Sequence, residues 1–208
     1  MYYAYRKDNK WHGPVAMRSR FDGVGGWHTL TDEQRAEHQW YPCVTLNEQY
    51  DRKTQRRSEQ PISYRLTDGI VTAEYVITDK ALSEQRAERH REIDKIRDEQ
   101  FAKGFTYDFG ETYGLQTLQM RNDRDRTNWL ALDSAATKLI AAGLEDTMLS
   151  LRPESNIEME IPATQVSSIL SALSSHGSAI MKRSWELKDA VDAADDPYSV
   201  DIESGWPV

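Results

Sequence analysis

Histidine and cysteine side chains are the first candidates for chemistry in this chain, because they bind metal ions and act as acids, bases or nucleophiles. The five histidines are scattered, and none has a second ligand three or four residues away. A protein zinc site is built from such closely spaced ligands or from cysteine pairs. The one cysteine, Cys43, cannot form a disulfide within the chain, and its strand-like surroundings favour a buried structural thiol. We therefore predict neither a metal site nor a cysteine nucleophile.

Three further segments contain residue types that bind ions or nucleic acids elsewhere. Residues 122–128 have acids at alternate positions, as a calcium-binding loop does, but they lack the turn glycine and the distal glutamate of such a loop. The acids are better explained by the start of a helix, where the helix dipole favours negative charge. No Lys-Ser/Thr pair follows the glycine-rich stretch 22–26, which leaves a phosphate-binding loop unsupported. The basic segment 52–57 lies near two tyrosines, yet neighbouring acids favour a solvated loop or a protein contact over nucleic acid. We expect no catalytic residues, no cofactor and no enzymatic activity.

The charge of the chain is concentrated in its second half. The net charge is -8, and residues 104–208 contain 17 acids against 8 bases, whereas residues 1–103 are close to neutral. An acidic surface repels the phosphate backbone, so we expect no nucleic-acid partner. The 6 Trp, 10 Tyr and 4 Phe provide bulky groups to bury in a chain that is otherwise polar. Small cores with large surfaces, partly covered by partner proteins, would suit this composition; an ordinary soluble protein remains the alternative.

Targeting and membrane segments are not evident in the sequence. The first residues lack the charged and apolar regions of a signal peptide, and no apolar run approaches the ~18 residues of a membrane span. We expect either synthesis and use in a cytosol-like compartment or release inside a particle, and no membrane insertion.

The pattern of elements predicts an α+β fold in three parts. Residues 1–80 are predicted to form a small β-rich domain with a capping box that starts at Thr31 and a hairpin around Asp68-Gly69. Residues 81–103 are predicted to form a long polar helix that connects the two ends. Residues 104–208 are predicted to form a helix–hairpin–helix domain, whose last helix runs from about Ala163 to Ala194.

The connecting helix is too polar for a core helix, which predicts that it is sheltered by other chains. Its apolar positions are few, and most of the remaining residues are charged. Such a helix is typical of a solvent-exposed connector or of one strand of a weak coiled coil, and both interpretations remain open. For the second we predict an oligomer interface formed by Leu82, Arg89, Ile93 and Ile96.

The last helix has a strict four-three alternation of apolar and small residues. Such a stripe predicts one buried face, and packing within the domain is favoured over a coiled coil between chains. Trp185 and Met181 widen the stripe, and Gly177 would let a neighbouring backbone approach closely. The predicted C-terminal core contains Trp129, Val166, Leu170, Leu173, Ile180 and Leu187.

Two stretches resemble known phage sequences. Gly26-Trp-His-Thr-Leu-Thr-Asp-Glu-Gln-Arg-Ala-Glu-His, Trp40-Tyr-Pro and Val76-Ile-Thr-Asp-Lys-Ala-Leu resemble the N-terminal parts of small tail proteins of tailed bacteriophages. The second half, from Gly104-Phe-Thr-Tyr-Asp-Phe-Gly through the last helix, is similar to an uncharacterised phage and prophage domain. It departs from the usual pattern at Leu115, where phenylalanine is typical, and at Met148-Leu-Ser-Leu, where the first hairpin strand usually contains tryptophan. The resemblance does not assign a known activity to particular residues.

The resemblance implies a virion component or an assembly factor of a tailed phage. The leading expectation is a structural protein of the distal tail, at the fibre, tip or baseplate, made in the host cytoplasm and homo-oligomeric, with a trimer as one arrangement. Its partners would be other tail proteins, with a host-surface receptor as a further candidate. The alternatives are a tail-fibre assembly chaperone and a host-surface glycan-binding protein that uses Trp11, Trp27 or Trp206.

Overall fold

The chain forms two compact units in a computed structural model that describes residues 1–17, 20–21, 24–46 and 49–207. The first unit is Met1–Ala81 and the second is Leu82–Val208. Both contain strands and helices, so the α+β class predicted from the sequence is confirmed. Two residues of the glycine-rich stretch, Asp22 and Gly23, lie outside the described residues.

The first unit is organised around a curled five-stranded sheet of order β2-β1-β5-β8-β7, in which only the β5–β8 pair is parallel. Two short antiparallel pairs, β3–β4 and β6–β9, accompany it. The strands are β1 Tyr2–Lys7, β2 Lys10–Ala16, β3 Arg20–Phe21, β4 Val24–Gly25, β5 Trp40–Leu46, β6 Gln55–Arg57, β7 Ser63–Thr67, β8 Ile70–Glu74 and β9 Ile77–Asp79.

Tight turns set the register of this sheet. Asp68 and Gly69 have φ of 49° and 76°, and both central residues of a two-residue hairpin turn need positive φ to match the strand twist. The predicted hairpin is therefore confirmed in β7 and β8. Strand β6 lies in a segment that was predicted to be a loop. Its pairing with β9, about 22 residues further along the chain, is not visible in local sequence.

Both faces of β1 are covered, because successive side chains of a strand point to opposite faces. Tyr3 packs with Trp27 and Trp40 on one face. Ala4 packs on the other face with the small residues of β5 and β8. The capping box is confirmed at the start of α1 Asp32–Glu37, where the Thr31 hydroxyl accepts from the Gln34 amide.

The second unit combines three long helices with two hairpins. Helix α2 leads into the first hairpin, α3 follows it, and the second hairpin leads directly into α4. The first hairpin is additional to the predicted helix–hairpin–helix arrangement of residues 104–208. The elements are α2 Leu82–Lys103, β10 Phe105–Asp108, β11 Leu115–Leu118, α3 Asp123–Ala141, β12 Met148–Leu151, β13 Met159–Pro162 and α4 Ala163–Ala193.

Helix α2 belongs to the second unit, which corrects its interpretation as a separate connector. It packs along α4, and its buried residues Ile93 and Ile96 contact Leu187, Val191 and Ile202 of the same chain. Ile93 is 0% exposed and Ile96 is 9% exposed. The premise that this helix has too little apolar surface to pack on its own chain was wrong, because few apolar residues suffice when they meet at one seam.

The charged residues of α2 bind backbone carbonyls and side chains of the C-terminal segment. Arg86 donates to the Ala194 carbonyl at 3.1 Å and Arg89 donates to the Val200 carbonyl at 2.6 Å. Guanidinium groups near a helix C-terminus donate hydrogen bonds to its unpaired carbonyls, and the negative end of the helix dipole attracts their positive charge. Lys188 of α4 pairs with Asp94 of α2 at 2.6 Å. The polarity of α2 is thus explained by contacts within the chain.

Tyr198 links the C-terminal segment to α2. Its raised pKa predicts that the stability of the fold declines at alkaline pH. Burial, followed by its hydrogen bond to Glu88, raises the pKa of Tyr198 to about 12 from an ordinary 10.0. The unfolded chain then loses this proton before the folded chain does, so stability is complete below pH 10 and declines towards pH 12. We expect Tyr198→Phe to reduce that decline, measured by urea unfolding at pH 9 to 12. An unchanged slope would contradict the assignment to Tyr198.

Among the residues that the structure describes, no helix is long and apolar enough to cross a membrane.

Candidate functional site

An open apolar groove of about 590 Å³ runs between α3 and α4 in the second unit. Its floor is formed by four buried residues, Phe101 from the end of α2, Met120 before α3, and Leu170 and Leu173 from α4. Side chains of this kind belong to a protein interior, and here solvent reaches them through the opening between the helices. The groove can therefore take an apolar group from a partner.

Two large apolar side chains stand at the rim of this groove. Leu130 of α3 is 70% exposed and Trp185 of α4 is 58% exposed. An exposed leucine alone needs no explanation, but an exposed tryptophan beside a continuous apolar groove forms a patch of the kind found at protein interfaces.

Small residues of α4 keep the groove open. Gly177 lies over the floor, where a Cβ atom would be 3.1 Å from Cε of Met120 and 3.6 Å from Cε1 of Phe101. Ser174 and Ser178 also line the groove. The sequence predicted that Gly177 lets a neighbouring backbone come close. The structure instead places two side chains against it, those of Met120 and Phe101, which belong to neither α3 nor α4.

Opposite charges line the α3 side of the groove. Arg126 donates to Asp123 at 2.7 Å, and its guanidinium lies 5.7 Å from the ring centre of Phe101. Asp133 forms no hydrogen bond or ion pair with any residue in the described part of the chain. The two groups are seven residues, or about two turns, apart and therefore lie on one face of α3.

The cysteine and the histidine with shifted pKa values, Cys43 and His176, do not line the groove. Within the described residues, no group of three or more histidine, cysteine or acidic side chains could hold a metal ion. Burial raises the pKa of the Cys43 thiol and lowers the pKa of His176, and both shifts favour the neutral form. His176 packs against Phe105, 5.4 Å between ring centres, as a core residue would.

Comparison with known proteins assigns the second unit to a family. Residues 84–204, more than half of the chain, match the family described as a domain of unknown function (DUF4376). The chain belongs to this family. No curated protein and no solved structure matches the chain. The groove, from Phe101 to Trp185, lies entirely within the DUF4376 domain.

The four residues of the predicted oligomer interface lie on α2, with Leu82 just before the DUF4376 match and the other three within it. Ile93 and Ile96 are buried against α4, so they are not available to a partner chain. Arg89 is engaged with Glu92 and with the Val200 carbonyl. Leu82 is 39% exposed at the first residue of α2. The predicted surface is corrected accordingly, because burial along α4 removes its two central residues.

The predicted core residues lie in two clusters of the DUF4376 domain. Leu187 is in the cluster around Ile93, and Trp129 is a partly buried member of the larger cluster, with its indole N–H donating to the Gln119 carbonyl at 2.6 Å. Buried in that larger cluster are Val166, Leu170, Leu173 and Ile180.

None of the three tryptophans predicted to bind glycans is fully exposed, since Trp11 and Trp206 are half-buried. Trp27 is buried, and Trp11 stacks on Tyr64 with 6.0 Å between ring centres. Trp206 packs on the core, and its indole N–H donates to the Ile202 carbonyl at 2.8 Å. Each ring is partly covered by contacts within the chain, and the glycan-binding alternative stays a prediction.

The basic segment 52–57 also contacts its own chain. Arg57 lies over the ring of Tyr75, 4.2 Å from the centre, and over that of Tyr50 at 5.8 Å. Arg56 donates to Thr78 across the β6–β9 pair. Tyrosines near these arginines are thus explained by intramolecular cation–π contacts.

Sequence reasoning missed the groove itself. It placed Trp185 in the buried stripe of α4, whereas the structure exposes this residue, and that prediction was wrong. One available signal was on α3, where Leu130 lies among polar residues and is exposed. A large apolar residue outside the buried stripe of a helix can mark a face left over after packing on its own core.

Proposed function

We propose that this protein is a structural component of the distal tail of a tailed phage, located at the fibre, tip or baseplate and homo-oligomeric in the virion. The observation that carries the proposal is the exposed apolar groove of the DUF4376 domain, with Trp185 at its rim. A surface of this type is suited to a protein contact. The resemblance of residues 26–42 and 76–82 to phage tail proteins supports the biological setting.

The two units suggest a division of roles. We infer that the β-rich first unit docks on the tail. The helices and second hairpin of the DUF4376 domain would then provide the contacts between subunits, with the groove as their centre. Its acidic surface agrees with protein partners rather than nucleic acid.

A tail-fibre assembly chaperone is the second candidate. The openness of the groove favours it, because a chaperone has to bind an apolar segment and release it again. On this alternative the groove would hold a fibre segment during assembly and be empty of that segment afterwards. Virion composition separates the two candidates.

Quantitative mass spectrometry of purified virions is the direct test. A structural subunit is expected at a constant, stoichiometric ratio to the other tail proteins. Presence in the lysate with only traces in the particle would favour the chaperone and overturn the leading proposal. Absence from tail assembly altogether, with normal infectious particles formed without the protein, would overturn both.

The groove itself is tested by Trp185→Ser, with Leu144→Ser as the matched control. Both side chains are exposed, but Leu144 does not line the groove. Truncating a tryptophan at an interface typically costs about 2 kcal/mol, or about 30-fold in affinity. We expect Trp185→Ser to reduce incorporation into virions about 10-fold or more when protein is limiting, and Leu144→Ser to have no effect. Equal incorporation of both variants would exclude the groove as the assembly contact.

A further inference from the structure

We propose that the groove of the DUF4376 domain binds the same groove of a second copy of this chain. In this two-fold dimer, α3 of one copy lies antiparallel to α3 of the other. This inference deepens the homo-oligomeric function proposed above by naming the partner and the contact, although the geometry stands without the phage setting.

Charge complementarity selects the second copy as the occupant. Arg126 and Asp133 are separated by seven residues, which is about 10.5 Å along the axis of α3. If two α3 helices run antiparallel around a point midway between these residues, each Arg126 faces the Asp133 of the other copy. One two-fold axis therefore creates two identical ion pairs, as an isologous interface requires.

The state of both groups in the single chain agrees with this pairing. Asp133 has no hydrogen bond or ion pair within the described part of the chain, although it stands beside an apolar groove. Arg126 pairs with Asp123, but the two side chains are 49% and 97% exposed. An exposed pair of this kind contributes little to stability, so Arg126 can exchange partners readily.

The apolar groups fit the same axis. Leu130, half a position from the midpoint of Arg126 and Asp133, would stand at the centre of the dimer. It is large enough to enter the opening over Phe101 and Met120 of the other copy. Trp185 of α4 would cover the flank of the contact. A specific interface usually has apolar groups at its centre and charged groups at its edge.

A charge exchange tests the reciprocal pairing. Arg126→Asp alone and Asp133→Arg alone each place like charges opposite one another across the two-fold axis. We expect each to weaken dimerisation about 10-fold or more in sedimentation velocity over a concentration series. The double variant restores opposite charges and is expected to recover most of the wild-type affinity. Residues seven apart are too distant to pair within one helix, so a rescue cannot arise inside one chain.

Two further variants control for folding and for charge. Leu130→Asp places an acid at the centre of the contact and is expected to leave a monomer of 24.0 kDa with an unchanged circular dichroism spectrum, because Leu130 is exposed in the single chain. Arg124→Asp makes the same change of charge as Arg126→Asp on another face of α3 and is expected to dimerise normally.

Three results would overturn the proposal. A wild-type monomer at all concentrations would leave the groove to another protein. A trimer would require a different contact, because one two-fold patch closes a dimer. A double variant no better than the single variants would refute the register. In each case virion composition could still support a tail protein, so failure of the dimer is distinguishable from failure of the proposed function.

Discussion

Replacing Ile93 with aspartate is expected to lower the free energy of unfolding of the second unit by about 4 kcal/mol or more. Ile93 is fully buried between α2 and the C-terminal part of α4. The substitution removes a well-packed aliphatic side chain and buries a carboxyl group among Ile96, Leu187 and Val191. Typical domains are stable by only 5–15 kcal/mol, so about 4 kcal/mol is a large part of the whole.

The measurement for Ile93→Asp has to separate the two units. Peptide-resolved hydrogen exchange suits this purpose, because a loss of protection in α2 and α4 reports the second unit alone. Leu82→Asp is the matched control on the same helix, with an expected change below about 1 kcal/mol since Leu82 is part-exposed. If Ile93 instead faced a partner chain, Ile93→Asp would change the oligomeric state and leave the protection of the monomer unaltered.

Replacing Gly104 with alanine is expected to destabilise the second unit by about 3 kcal/mol, the second-largest effect. Gly104 follows α2 with φ of 76°, where a Cβ atom would lie 2.6 Å from the Leu118 carbonyl oxygen and 2.8 Å from Cγ2 of Thr117. The carbonyl belongs to β11 and cannot move away without disturbing the β10–β11 ladder, in which Phe105 pairs with Leu118. The clash therefore adds to the cost of the left-handed backbone.

Gly143 provides a closely matched control for Gly104. It follows α3 with φ of 72°, and nothing lies within 4 Å of the Cβ position. Gly143→Ala is expected to cost only the left-handed conformation, about 1 kcal/mol. The difference between the two variants in thermal or urea unfolding isolates the clash. Equal costs for both would show that the approach of Leu118 does not constrain the backbone at Gly104.

Local patterns in the sequence predicted the elements that depend on neighbouring residues. The capping box at Thr31, the hairpin turn at Asp68-Gly69 and the helix that begins after Pro162 all depend on interactions within a few positions. The buried stripe of α4 is visible for the same reason, since a period of 3.6 residues places its members on one face.

The role of α2 could not be predicted in this way. Its composition predicted a need for partner chains, but Arg86 and Arg89 bind carbonyls more than 100 positions away in sequence. Charged residues that satisfy distant backbone groups look the same in sequence as charged residues that face water. The predicted oligomer interface placed Ile93 and Ile96 against a partner chain. That placement was wrong, because it assumed that the charged residues of α2 face water.

The sequence by itself determined the α+β class, the turns, most helix ends and the buried stripe of α4, because each depends on residues close together in the chain. Only the tertiary structure decided which helix covers Ile93, that β6 pairs with β9, and that Trp185 and Leu130 remain exposed beside a groove. The exposure of Trp185 and Leu130 depends on how far apart α3 and α4 are held by Phe101, Met120 and Gly177. That spacing is set by packing between distant segments, which no local pattern encodes.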